Sequence, residues 1–331
     1  MRSLGDIYAA GRARISELGR EHDLVLAAET QASARLNRTY LDRLAFEMRV
    51  LDGVHADTAT MLFGRSLPSP IIGAPLGFGR VLGLLASHGP QYGSGYLEPI
   101  AEGLQRAGSM MGLGVCTSEQ LQSVLDVGVP TYVILKPYRE RDRLLHKLKD
   151  AERRGAVAVG IDVDVFFGVR TRYEPVGESY VAPISVRDLA SIRRETTLPF
   201  ILKGILSTRD AERALEVGAS AIVVCHHGGE IIDYAVPPVK VLPEIARVLA
   251  GTDVRILVGS GLETGTDVLK ALARGAHAVM LGTPLMLGLA AAGADGVHAL
   301  LVALNAELAR DLSITGCRST REIDPRILHE V

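Results

Sequence analysis

The chain has 331 residues, 47% hydrophobic and 22% charged, with a formal net charge of −2. That composition supplies a large core and excludes global disorder. The lack of a basic excess excludes nucleic acid or an anionic membrane as the main partner.

Two helical patterns, Leu4–Leu18 and Ala32–Arg49, occupy an N-terminal segment, 1–69, expected to cap the bottom of the next domain or pack against it. From residue 70 short apolar runs alternate with amphipathic helical patterns. The predicted strands are Ile71–Pro75, Met110–Gly114, Tyr132–Lys136, Ala156–Val163, Phe200–Ile205, Ala221–His226, Arg255–Ser260 and Ala278–Gly282. Each is continuously apolar, as parallel strands buried on both faces are. Between them, helices such as Ser207–Gly218 start on an N-cap type and stop on glycine. Eight such repeats predict the α/β class and a single (β/α)8 TIM barrel over 70–331 with an N-terminal helical extension. A doubly wound sheet would need GxGxxG after an early strand, and none is there. Two long stretches, 77–96 and 164–185, follow strands and belong on the C-terminal face, where barrel active sites are built.

Cys116, Cys225 and Cys317 are widely spaced and form no CxxC pair, which fits a reducing compartment. The segment MRSLGDIYAAGRAR has no apolar signal core, and no uninterrupted apolar run reaches the ~20 residues of a membrane span, so a cytoplasmic protein is expected.

Polar residues at strand ends carry the candidate chemistry. Asp162 ends strand four, Lys203 lies inside the apolar strand Phe-Ile-Leu-Lys-Gly-Ile, and His226 and His227 end strand six ahead of Gly228-Gly229. An acid, an amine and an imidazole at one mouth suit general acid–base or covalent work on a small-molecule substrate. The plainer readings are a lysine paired with a carboxylate, a structural histidine and a capping aspartate. The turn Gly259-Ser-Gly-Leu-Glu-Thr-Gly265 after strand seven and Gly282-Thr283 after strand eight offer backbone N–H groups for a phosphate. No His or Cys spacing fits zinc, so no metal is expected.

These pieces resemble the FMN-dependent α-hydroxy-acid oxidase and dehydrogenase family (glycolate and lactate oxidase-like), from about Asn37 to Ile323. Leu198-Pro-Phe-Ile-Leu-Lys-Gly-Ile-Leu206 is similar to the family's strand-five motif, and Cys225-His-His-Gly-Gly-Glu-Ile-Ile-Asp233 to its Ser-Asn-His-Gly-Gly-Arg-x-x-Asp. Gly265-Thr-Asp-Val-x-Lys-Ala-Leu272 and Thr315-Gly-Cys-Arg-Ser319 also match. The resemblance implies FMN across the barrel mouth, with Lys203 at its N1/O2 edge and Ala74, Pro75 and Leu76 beside the ring. The phosphate would lie against Ser260, Gly261, Leu262, Gly282 and Thr283. It implies His227 as the base, Asp162 as its orienting partner, and a homo-oligomer.

The departures from the family pattern are as informative. The substrate-clamping arginine is Glu230, and the two substrate-facing tyrosines fall near Asp23 and on Lys136. Polar flavin contacts become Gly112, Ile134, Gly160 and Gly259, and the phosphate-side arginines become Glu263 and Thr283. Arg170, and Tyr92 or Tyr96, are candidate replacements. Substrate contacts are therefore assigned to Glu230, Arg170, Lys136 and His226, with a divergent FMN-dependent oxidoreductase acting on a hydroxy or amino metabolite as the leading reading. Two others stand beside it. One is a flavin-free lyase, isomerase or aldolase using Asp162, His227 and a Lys203 amine made nucleophilic by burial; the other is a non-catalytic binding subunit.

Overall fold

A computed structural model describes residues 3–24, 27–51, 53–76, 95–166 and 180–331. The N-terminal segment forms α1 (Leu4–Glu17), α2 (Ala32–Asp42), β1 (Leu44–Phe46) and a hairpin of β2 (Thr60–Leu62) and β3 (Arg65–Leu67). The barrel strands are β4 (Ile71–Gly73), β5 (Met111–Leu113), β6 (Thr131–Leu135), β7 (Ala158–Asp162), β8 (Phe200–Ile205), β9 (Ala221–Val224), β10 (Arg255–Val258) and β11 (Ala278–Leu281). All are parallel, and β4 pairs with β11. The circle closes between β4 and β5, where Gly73 N–H donates to Met110 O (2.8 Å) and Gly114 N–H to Leu76 O (3.0 Å). The predicted strands are all present, each within two or three residues of its expected ends.

The outer helices are α3 (Leu97–Arg106), α4 (Ser118–Asp126), α5 (Arg141–Arg154), α6 (Val186–Arg193), α7 (Thr208–Val217), α8 (Pro238–Val248), α9 (Gly265–Ala273) and α10 (Thr283–Ile314). They cover the barrel with one continuous apolar shell, while a second cluster, including Ile72, Tyr132, Ile134, Ile201, Val223, Leu257 and Met280, fills its interior. Strand alternation separates the two sets.

One expectation is corrected. The second N-terminal helix stops at Asp42 rather than Arg49, because Leu44–Phe46 pairs antiparallel with the last strand, β12 (Leu328–Glu330). The β2–β3 hairpin closes the barrel bottom, with Leu62 and Leu67 in the inner cluster, and α1 packs along α10. α10 is also long and apolar enough to cross a membrane by length and composition, although 67% of its most apolar stretch is buried inside the fold. Its backbone breaks at Ala292 and Gly293.

Inside the barrel the Tyr132 hydroxyl donates to Gly73 O at 2.6 Å, with Tyr132 fully buried. A side chain at Gly112 would meet that hydroxyl at 2.5 Å, so glycine and tyrosine there are mutually required. Tyr132→Phe strands a buried carbonyl and is expected to cost about 1–3 kcal/mol, read as a lower midpoint in urea unfolding with an unchanged m-value.

Candidate active site

Strand register brings the mouth together. Asp162 is the last residue of β7 and lies opposite Lys203 on β8. The pairing of β8 with β9 shifts between Lys203 and Ile205, at Gly204, whose φ is +100°. Lys136 follows β6 directly. Lys203 Nζ donates to Asp162 Oδ1 at 2.7 Å and Lys136 Nζ to Asp162 Oδ2 at 2.7 Å. Burial alone would raise the Asp162 carboxyl; Lys203, His227 and Lys136 hold it well below its ordinary value. Burial would likewise lower Lys203, but Asp162 keeps it above its ordinary value. Lys203 is therefore an ammonium, which contradicts the expectation that burial makes it a nucleophilic, Schiff-base-forming amine.

His227 is held beside this pair with a φ of +50°, unusual for a side-chain-bearing residue, at the start of the 3-10 turn His227–Gly229. The turn is fixed from several sides. Gly228 N–H donates to Ser260 Oγ (3.1 Å), Glu230 N–H to His227 O (3.1 Å) and Ala28 N–H to Gly229 O (2.8 Å). His227 Nε2 lies 2.6 Å from Lys203 Nζ and 3.3 Å from Asp162 Oδ2, while Nδ1 lies 2.8 Å from Asp164 Oδ2. Burial, the largest influence, and Lys203 would lower the imidazole, but Asp164 and Asp162 together outweigh them, and the net direction is upward from 6.5.

The predicted trio therefore converges, with a different internal wiring. The expected Asp162–His227 partnership is the longer contact, because Asp162 is already engaged by two ammoniums. Sequence reasoning missed Asp164. Its signal was the Asp162-Val-Asp164 spacing, which places both carboxylates on one side of an extended chain. Lys136, expected to face substrate, is bound to Asp162. His226 is buried, with Nε2 3.1 Å from Asn37 Oδ1, and burial pushes it down to about 4. It is a neutral residue joining the turn to α2. Glu230 is buried at 8% exposure just after the turn. Tyr96 is buried in the outer apolar shell. Arg170, Tyr92, most of the 77–96 stretch and most of the 164–185 stretch lie outside the described residues.

Asp162, Asp164 and His227 also present donor atoms within 4.8 Å of one another. The Lys203 ammonium sits 2.7 and 2.6 Å from two of these residues, so a metal ion would meet a positive charge there.

Around the rest of the mouth the inward positions are small: Ala74, Gly114, Gly259 and Gly282 continue β4, β5, β10 and β11. Beyond them, the N–H groups of Ser260, Gly261, Leu262 and Gly282 have no backbone acceptor among the described residues. Ser260 and Gly261 both have positive φ, and Thr283 opens α10. The Ser260 Oγ accepts from the N–H groups of Gly228 and His226, which leaves its O–H and its backbone N–H to donate to a ligand. This half fits a flat ring with a phosphate tail held by backbone N–H groups and a helix N-terminus. It offers that phosphate no side-chain cation among the described residues: Arg38 is paired with Asp267 and Asp42.

Comparison with known proteins agrees with this geometry. A family model described as FMN-dependent dehydrogenase matches residues 24–178 and 170–330. The chain is similar to 4-hydroxymandelate oxidase from Amycolatopsis orientalis, 34% identical over 88% of this chain and 88% of that protein. It is 28% identical to glycolate oxidase from Spinacia oleracea, over 89% of this chain and 87% of that protein. A crystal structure of mandelate oxidase superposes with a TM-score of 0.85 at 32% identity, covering 99% of this chain and 98% of that one.

Neutralising Asp162 leaves two ammoniums facing each other in a nearly closed site. Asp162→Asn is expected to cost about 3–5 kcal/mol, measured by urea unfolding at pH 7, and Asp162→Asn/Lys203→Met should recover part of it. A loss under 1 kcal/mol in the single variant would show that the lysines find other partners.

Proposed function

Because the chain belongs to the FMN-dependent dehydrogenase family, we propose that it is an FMN-dependent oxidoreductase of the hydroxy-acid oxidase type. The observation that carries this reading is a mouth divided in two. One half is small and lined by N–H groups with no backbone acceptor among the described residues, and the other is a buried Asp–Lys–His cluster. FMN, when bound, supplies the acceptor for a hydride. Lys203 supplies a fixed positive charge at the boundary between the halves. His227 takes the hydroxyl proton of the substrate at Nε2, once Lys203 has turned from that nitrogen. Asp162 then faces the new Nε2–H. Ser260–Leu262 and Gly282–Thr283 hold the phosphate.

The substrate reading follows from Glu230. A glutamate in place of the family's arginine removes the charged clamp on a substrate carboxylate, a loss of about 1.5–3 kcal/mol, or roughly ten- to a hundredfold in affinity. A substrate that presents a neutral or cationic group to Glu230 is favoured over lactate, glycolate or mandelate. Steady-state assays of wild type and Glu230→Arg on a panel of 2-hydroxy acids test this. Efficient oxidation of lactate by wild type, unimproved by arginine, would refute it.

Purified protein should carry flavin absorption or acquire it on FMN titration; a protein that stays colourless with excess FMN ends the proposal. With no cation on the phosphate side among the described residues, Glu263→Arg is expected to tighten FMN binding by roughly ten- to a hundredfold and to leave riboflavin binding unchanged, as read by fluorescence titration. His227 accepts a proton only when neutral, and its folded value is raised. Activity should therefore climb with pH through a value above 6.5. An acid limb below that would assign the base elsewhere.

A further inference from the structure

We propose that Asp164 is the positioning residue for His227, holding its Nδ1–H so that Nε2 is the atom that accepts the proton. This rests on the reading of His227 as the base and goes beyond it by naming what orients the ring. The contact is the shortest His227 makes with a carboxylate: 2.8 Å to Asp164 Oδ2 against 3.3 Å to Asp162 Oδ2. The partners differ in kind as well. Asp162 accepts from Lys203 on one oxygen and Lys136 on the other, so its charge is already spent. Asp164 makes no ion pair with a lysine among the described residues. Its Oδ1 is buried with no partner among the described residues, and its side chain is only 12% exposed. A carboxylate withdrawn from water that far needs a donor, and the imidazole N–H is the one it has.

The backbone is shaped to admit it. Gly204 has φ +100°, and a side chain there would stand 2.4 Å from the Asp164 carboxyl carbon. The bulge that follows Lys203 therefore makes the space for Asp164 as well as turning Lys203 inward.

The proton accounting is consistent. Among the described residues, the charged or titratable groups facing His227 are Asp162 and Asp164 from β7 and its extension, Lys136 from β6, Lys203 from β8, and Cys225 and His226 on its own segment. Two ammoniums and two carboxylates cancel while the imidazole is neutral, with Nδ1–H on Asp164 and Nε2 accepting from Lys203. Proton uptake at Nε2 then gives an imidazolium with a carboxylate at each nitrogen.

Nitrogen-15 NMR of the imidazole rings, with His227 assigned by its loss in His227→Gln, reads this directly. The expected wild-type spectrum has neutral His227 protonated at Nδ1. In Asp164→Asn the His227 titration moves to lower pH, the acid limb of kcat/KM moves with it, and kcat falls by about a hundredfold or more. A wild-type ring protonated at Nε2 overturns the proposal without any variant. So does an Asp164→Asn protein with an unchanged His227 titration. If the Nδ1–H and its coupled titration are found in a protein that neither binds flavin nor turns over, the flavin reading falls and the Asp164 contact stands.

Discussion

The constraint on which the site depends is the neutralisation of Asp162 at the end of β7. A carboxylate at that depth is tolerated only because each oxygen accepts from an ammonium at 2.7 Å. One lysine comes from the neighbouring strand on each side, β6 and β8. The pairing therefore fixes three strand ends relative to one another and sets the ionisation of every group between them. Lys203 cannot serve as a neutral amine beside it, and the histidine is forced to find its own anion.

The mouth is asymmetric for a related reason. Inward-facing positions recur every second residue, and on β6 to β9 the last of them are Lys136, Asp162, Lys203 and Cys225, whereas on β10, β11, β4 and β5 they are Gly259, Gly282, Ala74 and Gly114. Charge gathers on one arc and room on the other. A ligand that fills the roomy arc is presented edge-on to the charged one, a geometry suited to a reaction in which a hydride goes one way and a proton the other.

Most of the barrel was legible because parallel strands covered on both faces are apolar throughout, a signal that needs no partner to be read. The strand ends were not, since ladder bonds rather than composition decide where pairing stops. β1 was read as helix because Leu-Ala-Phe becomes a strand only by meeting Leu328–Glu330, at the far end of the chain. In the site, Asp162, Lys203 and His227 announced themselves as polar residues ending apolar runs. Asp164 did not, because an aspartate just past a strand looks like ordinary loop. Its role depends on the left-handed backbone at Gly204, which the letters Leu-Lys-Gly do not specify. The substitutions at Gly112 and Gly160 were visible as lost polar contacts. Their packing against Tyr132 and Ile201 emerges only in three dimensions.

The clasp between α2 and the histidine turn has a wider consequence. Asp233, drawn down to about 2 by its bonds to Thr30 and Ala32, caps the start of α2. Ser33 Oγ donates to Ile232 O and accepts from Ala235 N–H, and Asn37 meets His226. The strained backbone of His227 is thus splinted from outside the barrel by a segment that contributes no barrel strand. A minimal (β/α)8 unit cut from this chain near residue 70 would keep the eight strand segments, the lysines and the aspartates, though not the hairpin whose Leu62 and Leu67 fill the barrel bottom. It would lose the brace that keeps the histidine in register with them. In modular terms, the barrel strands and the active site have different boundaries here, and the segment that holds the strands is shorter than the one that holds the site.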